Sequence, residues 1–306
     1  MTKFIRRVFL FFALWPAFMM ASACTGEAEQ RAIVVHGQGR PALWQVTGTQ
    51  GNKAYIFGTV HLLPPDIRWQ TPTIGKAIRQ SDSLVTEVAG LDNKAAISEI
   101  FAQMGISSGL PPIAKRIPSA PVGATKAILE GIDIHADRLQ KMESWAAAVT
   151  IAGAASAGLG METSSGVESI LQTIFHAAGK PHAGLETAAQ QFGYFDRLPE
   201  ADQRLLLAAA LRSARNARAE TKKILDHWMD GRADALLSGA ATGALASPKL
   251  RESLLDTRNQ NWARQMSVLI DQGRRPFVAV GAAHVAGSSG LPALMAAKGY
   301  KVERIQ

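Results

Sequence analysis

The chain is predicted to be an α/β protein: a central mixed sheet built from both ends of the chain, with a large, mostly helical middle region. Three observations predict this. Strand-like runs cluster near both termini, helical periodicity fills the space between them, and one short phrase occurs twice. Gly58-Thr59-Val60-His61 follows the apolar run 54–57, and Gly281-Ala282-Ala283-His284 follows the apolar run 276–280. After each phrase come a loop rich in Pro or Gly, a helix-like segment (71–80 and 289–298) and a second strand-like run (83–88 and 300–305). The pattern reads as an internal repeat with an imidazole where each strand gives way to a loop, the edge at which α/β proteins usually build their sites.

Residues 1–23 read as a signal peptide. Lys3, Arg6 and Arg7 precede the apolar run 8–20, and Ala21-Ser22-Ala23 is a small-residue cleavage pattern. The run is short for a membrane span and Pro16 interrupts it. Cys24, the one cysteine, follows directly, where a bacterial lipoprotein would carry its lipid; lipid attachment and plain cleavage both stay open, and so does a membrane anchor through lipidated Cys24. With a single cysteine no disulfide forms within one chain, so stability comes from core burial. Residues 24–40 read as a loose segment, and 41–306 as a single α/β domain with helical insertions at about 92–165 and 199–272. Three cations of the formal net charge of +8 fall in the leader, and the remaining excess is too mild and scattered for a nucleic-acid partner. Arg204, Arg212, Arg215, Arg218, Lys222 and Lys223 alternate with apolar residues at helical spacing and read as a solvated helix face.

In chain order, runs 42–47 and 53–60 flank the turn-rich Gly48-Thr49-Gln50-Gly51-Asn52 and predict an opening hairpin. Thr71-Pro72 supplies an N-cap and a first-turn proline for a short helix, and the strand 83–88 that follows carries Glu87 near its end. Helical patterns then run over 93–104, 122–130 and 141–157, with breaks at Pro111-Pro112 and Pro118. The Ala- and Gly-rich stretch 145–158 is too short to cross a membrane and reads as a tightly packed core helix. Gly166-Val167-Glu168 opens another helix with apolar Val167, Ile170, Leu171, Ile174 and Phe175, after which the strand 182–186 ends in Glu186. Helices 199–227 and 248–272 follow, the second carrying Arg258-Asn259.

Phe57-Gly58-Thr59-Val60-His61, Gly166-Val167-Glu168, Gly184-Leu185-Glu186-Thr187 with Gln190, Arg258-Asn259, and Val280 to Gly287 with Gly290-Leu291 and Gly299-Tyr300 together resemble the TraB/GumN family. That family is similar to the Tiki proteins, described as divalent-metal-dependent proteases, and is grouped with the erythromycin esterase and ChaN-like folds. The resemblance implies a metallohydrolase-like site. Two departures stand out: Val285-Ala286 follow His284 where Leu-Gly or Leu-Ala is commoner, and Glu168 stands where Asp is frequent.

The residues support the same chemistry. A hydrolytic divalent ion, with Mn, Co and Zn all open, needs a few N or O ligands and a free position for water, and His61, Glu87, Glu186 and His284 lie at or near predicted strand ends. Glu168 is the candidate to move the proton of a bound water, and Arg258 to neutralise a carboxylate ligand or a tetrahedral intermediate. Bland readings stand beside these: surface pairing for Glu87 and Glu186, a first-turn helix acid for Glu168, a structural ion pair for Arg258. No H-E-x-x-H helix, Cys cluster, Walker loop or G-x-S-x-G elbow occurs, and Gly158-Leu159-Gly160 does not extend to a dinucleotide fingerprint. His36, His135, His176 and His227 read as structural, with His182 a weak candidate. Two functions follow: an exported, metal-dependent, peptidase-like hydrolase acting on a peptide or small amide in the periplasm or at the cell envelope, or a non-catalytic peptide-binding or polysaccharide-accessory module. The repeat further predicts that His61 and His284 face one pocket.

Overall fold

A computed structural model describes residues 37–306 apart from 65–66, 91–92, 118–121, 160, 162–163, 241–244 and 246. The predicted signal peptide and Cys24 lie outside the described residues. The end of the segment expected to be loose is tied down, because Gly39 N–H donates to the Arg68 carbonyl and Arg40 N–H to that of Met229.

Six strands form one sheet: β1 (Leu43–Thr47), β2 (Lys53–Thr59), β3 (Ser83–Val88), β4 (His182–Glu186), β5 (Pro276–Gly281) and β6 (Lys301–Arg304), in the order β4-β3-β5-β2-β1-β6. The predicted hairpin is β1–β2, antiparallel, while β2, β5, β3 and β4 run parallel. The fold class read from the sequence is therefore the one observed, a mixed sheet drawn from both ends of the chain. Both repeat units are present, as β2, α1 (Pro72–Gln80) and β3, then β5, α13 (Leu291–Ala297) and β6. Their strands are interleaved: β5 inserts between β2 and β3, and the parallel register pairs Gly58 with Val280 and Thr59 with Gly281, one residue out of step with the repeat.

Between the strands lie α2 (Lys94–Gly105), α3 (Val122–Gly131), α4 (Ala136–Leu139), α5 (Ser144–Ala157), α6 (Val167–Ala177), α7 (Ala188–Asp196), α8 (Glu200–Arg215), α9 (Ala217–Met229), α10 (Ala233–Ala240), α11 (Pro248–Arg251) and α12 (Thr257–Asp271). The helix expected over 199–227 is two helices that meet at Asn216, whose φ of −119° and ψ of 24° leave the helical region. Asn stops helices because its side chain competes for backbone hydrogen bonds. The helix expected over 248–272 contains a π turn, Glu252–Asp256, between α11 and α12.

Period-2 side-chain alternation explains the layers. Tyr55, Phe57, Phe277 and Ala279 pack with Ile74 and Ile78 of α1 and Val167, Leu171 and Phe175 of α6. Ala54, Ile56, Val278 and Val280 face the other way, onto Trp262, Met266 and Ile270 of α12 and Leu291 and Met295 of α13. With both faces covered, β2 and β5 read as continuous apolar runs, as buried parallel strands do. The helical middle has its own core around Trp145, which contacts Phe101, Phe192 and Phe195, and α5 is buried nearly all round, as its small residues predict. No helix among the described residues is long and apolar enough to cross a membrane.

Candidate functional site at the strand ends

Parallel pairing sends the C-terminal ends of β4, β3, β5 and β2 to one edge, in that order. Glu186 is the last residue of β4 and Glu87 the penultimate residue of β3. His284 lies in a 3-10 turn, Ala282–Val285, directly after β5, and His61 stands two residues past β2. The sheet order therefore lines up Glu186, Glu87, His284 and His61 although their sequence order is different. The two histidines meet over Gly281: a Cβ built on that glycine would stand 3.7 Å from His61 Nε2, 3.8 Å from His284 Cδ2 and 3.1 Å from Glu87 Oε1.

Arg258 organises the carboxylate half. Its Nη2 donates to Glu87 Oε2 at 2.7 Å and Glu186 Oε2 at 2.9 Å, and its Nε to Glu186 Oε1 at 3.1 Å. Nη1 donates to the Leu254 carbonyl, inside the π turn, at 3.2 Å and approaches His284 Nε2 at 3.3 Å. A guanidinium has five N–H donors, and these contacts engage all of them. Other donors also engage the carboxylates: Trp262 Nε1 donates to Glu186 Oε1 at 2.8 Å, Gln191 Nε2 to Glu87 Oε2 at 2.9 Å, and the Gly281 N–H to Glu87 Oε1 at 2.8 Å. The Arg258 guanidinium lies over the Trp262 ring, 4.6 Å from its centroid. Burial raises the Glu186 pKa above its ordinary value, against the opposing pull of Arg258 and Trp262.

The imidazoles are held differently. His284 is buried, and its Nδ1 donates to Asn259 Oδ1 at 2.6 Å. Asn259 Nδ2 donates to the Ser289 carbonyl at 2.8 Å, which fixes the amide with its oxygen towards the ring. The hydrogen is accordingly assigned to Nδ1, with a lone pair on Nε2. Burial, then the charges of Arg258 and His61, push the His284 pKa well below 6.5. His61 is a quarter exposed at the side chain, and its Nδ1 pairs with Glu168 Oε1 at 2.8 Å. Thr59 Oγ1 donates to the same Glu168 oxygen. Burial works against the charge on each partner, but the attraction outweighs it: His61 lies above 6.5 and Glu168 below 4.5. Glu168 reaches this position because α6 begins against the end of β2, where the Val167 N–H donates to the Val60 carbonyl at 3.2 Å.

All six residues singled out as metal ligands or catalytic groups thus belong to one cluster. Their positions redistribute the expected roles. Glu186 has both oxygens engaged by Arg258 and Trp262, Arg258 has no N–H left for a tetrahedral intermediate, and Glu168 is bound to His61 and Thr59. Among the described residues, no three His, Cys, Asp or Glu side chains already stand at metal-ligand spacing. Of the weaker candidates, His182 Nε2 contacts Thr86 Oγ1 at 2.7 Å, at the start of β4 and so at the opposite end from Glu186. Sequence reading assigned no role to Gln191, Trp262, Asn259 or Thr59, although Asn259 and Thr59 stood inside the motifs. Gln190, from the same motif, caps α7 instead: Thr187 and Gln190 form a capping box, whose S/T-x-x-E/Q signal is visible in the sequence.

The fold and cluster define a class, an α/β protein whose parallel strand ends carry paired imidazoles and carboxylates around a buried arginine. The chain belongs to the TraB/PrgY/gumN family, whose model matches residues 42–304. No curated protein and no solved structure matches it.

Proposed function

We propose that the chain is an exported hydrolase of amide bonds in peptides or small amides, with a divalent metal ion as cofactor. The observation that carries this reading is the treatment of the two imidazoles: each is engaged at Nδ1, His61 by Glu168 and His284 by Asn259, and they meet over the side-chain-free Gly281. Histidines that bind metals are oriented in this way, with the other ring nitrogen held by a carboxylate or carbonyl. The donors that would hold a divalent ion are His61 Nε2, His284 Nε2 once it gives up its 3.3 Å contact with Arg258 Nη1, and Glu87 through Oε1, which accepts one hydrogen bond, from the Gly281 N–H; Glu186 is left out because Arg258 and Trp262 engage both its oxygens. When bound, such an ion lowers the pKa of a water and polarises a carbonyl. The chain's own residues do the rest. Glu168 and Asn259 aim the rings, Arg258 keeps Glu87 and Glu186 together, and Trp262 covers His284, ring centroids 4.4 Å apart.

Two assays on purified wild-type protein and His61→Ala test the proposal: metal content after exposure to Mn, Co or Zn, and cleavage of an internally quenched peptide pool. The wild type should retain about one ion per chain, as a single three-ligand site would, and cleave peptides; His61→Ala should lose both with its fold intact. A wild type that takes up no metal, or cleavage that survives in His61→Ala, overturns the reading. Peptide binding without cleavage would favour the accessory-module alternative.

A further inference from the structure

The two glycines that open the repeated phrases, Gly58 and Gly281, occupy different surroundings. A Cβ on Gly58 would stand 2.8 Å from Val285 Cγ2 and 3.2 Å from the Ala282 Cα, so this glycine is required by close packing between β2 and the turn after β5. The three nearest neighbours of a Cβ on Gly281 would all be site atoms: Glu87 Oε1, His61 Nε2 and His284 Cδ2. Gly281 is itself part exposed, whereas Gly58 is buried. Its φ of −50° and ψ of 138° suit any L-residue, so the backbone does not demand glycine there. We infer that Gly281 is the floor of the acyl subsite: the missing side chain leaves the space in which a planar amide carbonyl lies against the strand end and comes within reach of His61 Nε2. Gly58 keeps the fold, and Gly281 keeps the site open.

The inference rests on the proposed site but not on metal or turnover, so it is tested without either. Metal-free full-length protein is treated with diethyl pyrocarbonate, a small planar acyl electrophile, and acylation at His61 is followed by mass spectrometry beside the melting temperature. Because Nδ1 is paired with Glu168, acylation reports access to Nε2. Gly281→Ala should melt near the wild type while His61 acylation slows several-fold. Gly58→Ala should melt at lower temperature with the His61 rate in its folded form unchanged. Wild-type acylation of His61 in folded Gly281→Ala would overturn the inference, as would equal slowing in both variants. Should Gly281→Ala fail to fold, the wild type decides: a magnetisation-transfer contact between water and the Gly281 α-protons supports an open floor, and its absence contradicts it. If peptide cleavage is never found yet the acylation contrast holds, the subsite stands and the hydrolase reading falls.

Discussion

At the residue scale, what the cluster can do depends on which groups are free to act and which are already engaged. Arg258 is buried between two carboxylates, with every donor taken. Removing one partner of a buried ionic cluster strands charge in a low-dielectric setting, at a cost of about 3–5 kcal/mol. Arg258→Met should therefore lower the unfolding free energy by that order in a denaturant titration. Arg258→Lys should recover only part of it, because an ammonium has three donors and cannot reproduce the fork that spans Glu87 and Glu186. Stability in Arg258→Met equal to that of the wild type would show that the cluster does not hold the strand ends together.

At the element scale, the site is assembled by strand order and by three helices that enter the edge. Helix α6 brings Glu168, α7 brings Gln191 and α12 brings Arg258, Asn259 and Trp262. Helix α7 starts with a reciprocal cap in which the Gln190 N–H donates to Thr187 Oγ1 at 3.2 Å and the Thr187 N–H to Gln190 Oε1 at 2.8 Å. Losing such a cap costs about 1 kcal/mol. Thr187→Ala should thus destabilise modestly in thermal unfolding while metal content stays at the wild-type level; a loss of metal would mean that α7 is anchored through the site rather than through its cap. The strand ends, the caps and the two matched histidines were legible in the sequence because each depends on neighbouring residues. The insertion of β5 between β2 and β3, the π turn before Arg258 and the contact of Gln191 with Glu87 were not, since they arise from packing between segments that no local pattern records. That is also why the engagement of Glu186 by Arg258 and Trp262 could not be foreseen: a strand-end carboxylate has the same sequence context whether its partner is an ion or a guanidinium.

At the scale of the whole molecule, one interleaved sheet brings the two copies of the repeat to a single edge and gives their histidines opposite environments. These environments set the pH response of folding. The raised pKa of His61 contributes stability that is present below its unfolded value of 6.5 and is lost as pH rises through the folded value. The depressed pKa of Glu168 contributes stability present above 4.5 and lost as pH falls through its folded value. The depressed pKa of His284 likewise makes stability fall as pH drops below 6.5, because the unfolded ring takes a proton that the folded ring refuses. The most direct test of the central claim, that one site holds two imidazoles whose pKa values are shifted in opposite directions, each with its own Nδ1 partner, is side-chain nitrogen NMR of both histidines in metal-free wild-type protein between about pH 5 and 8, the range that brackets an ordinary imidazole. His284 should titrate well below 6.5, with its hydrogen on Nδ1 wherever the ring is neutral, while His61 should titrate above 6.5. Two rings titrating together near 6.5, or a His284 hydrogen on Nε2, would contradict the account.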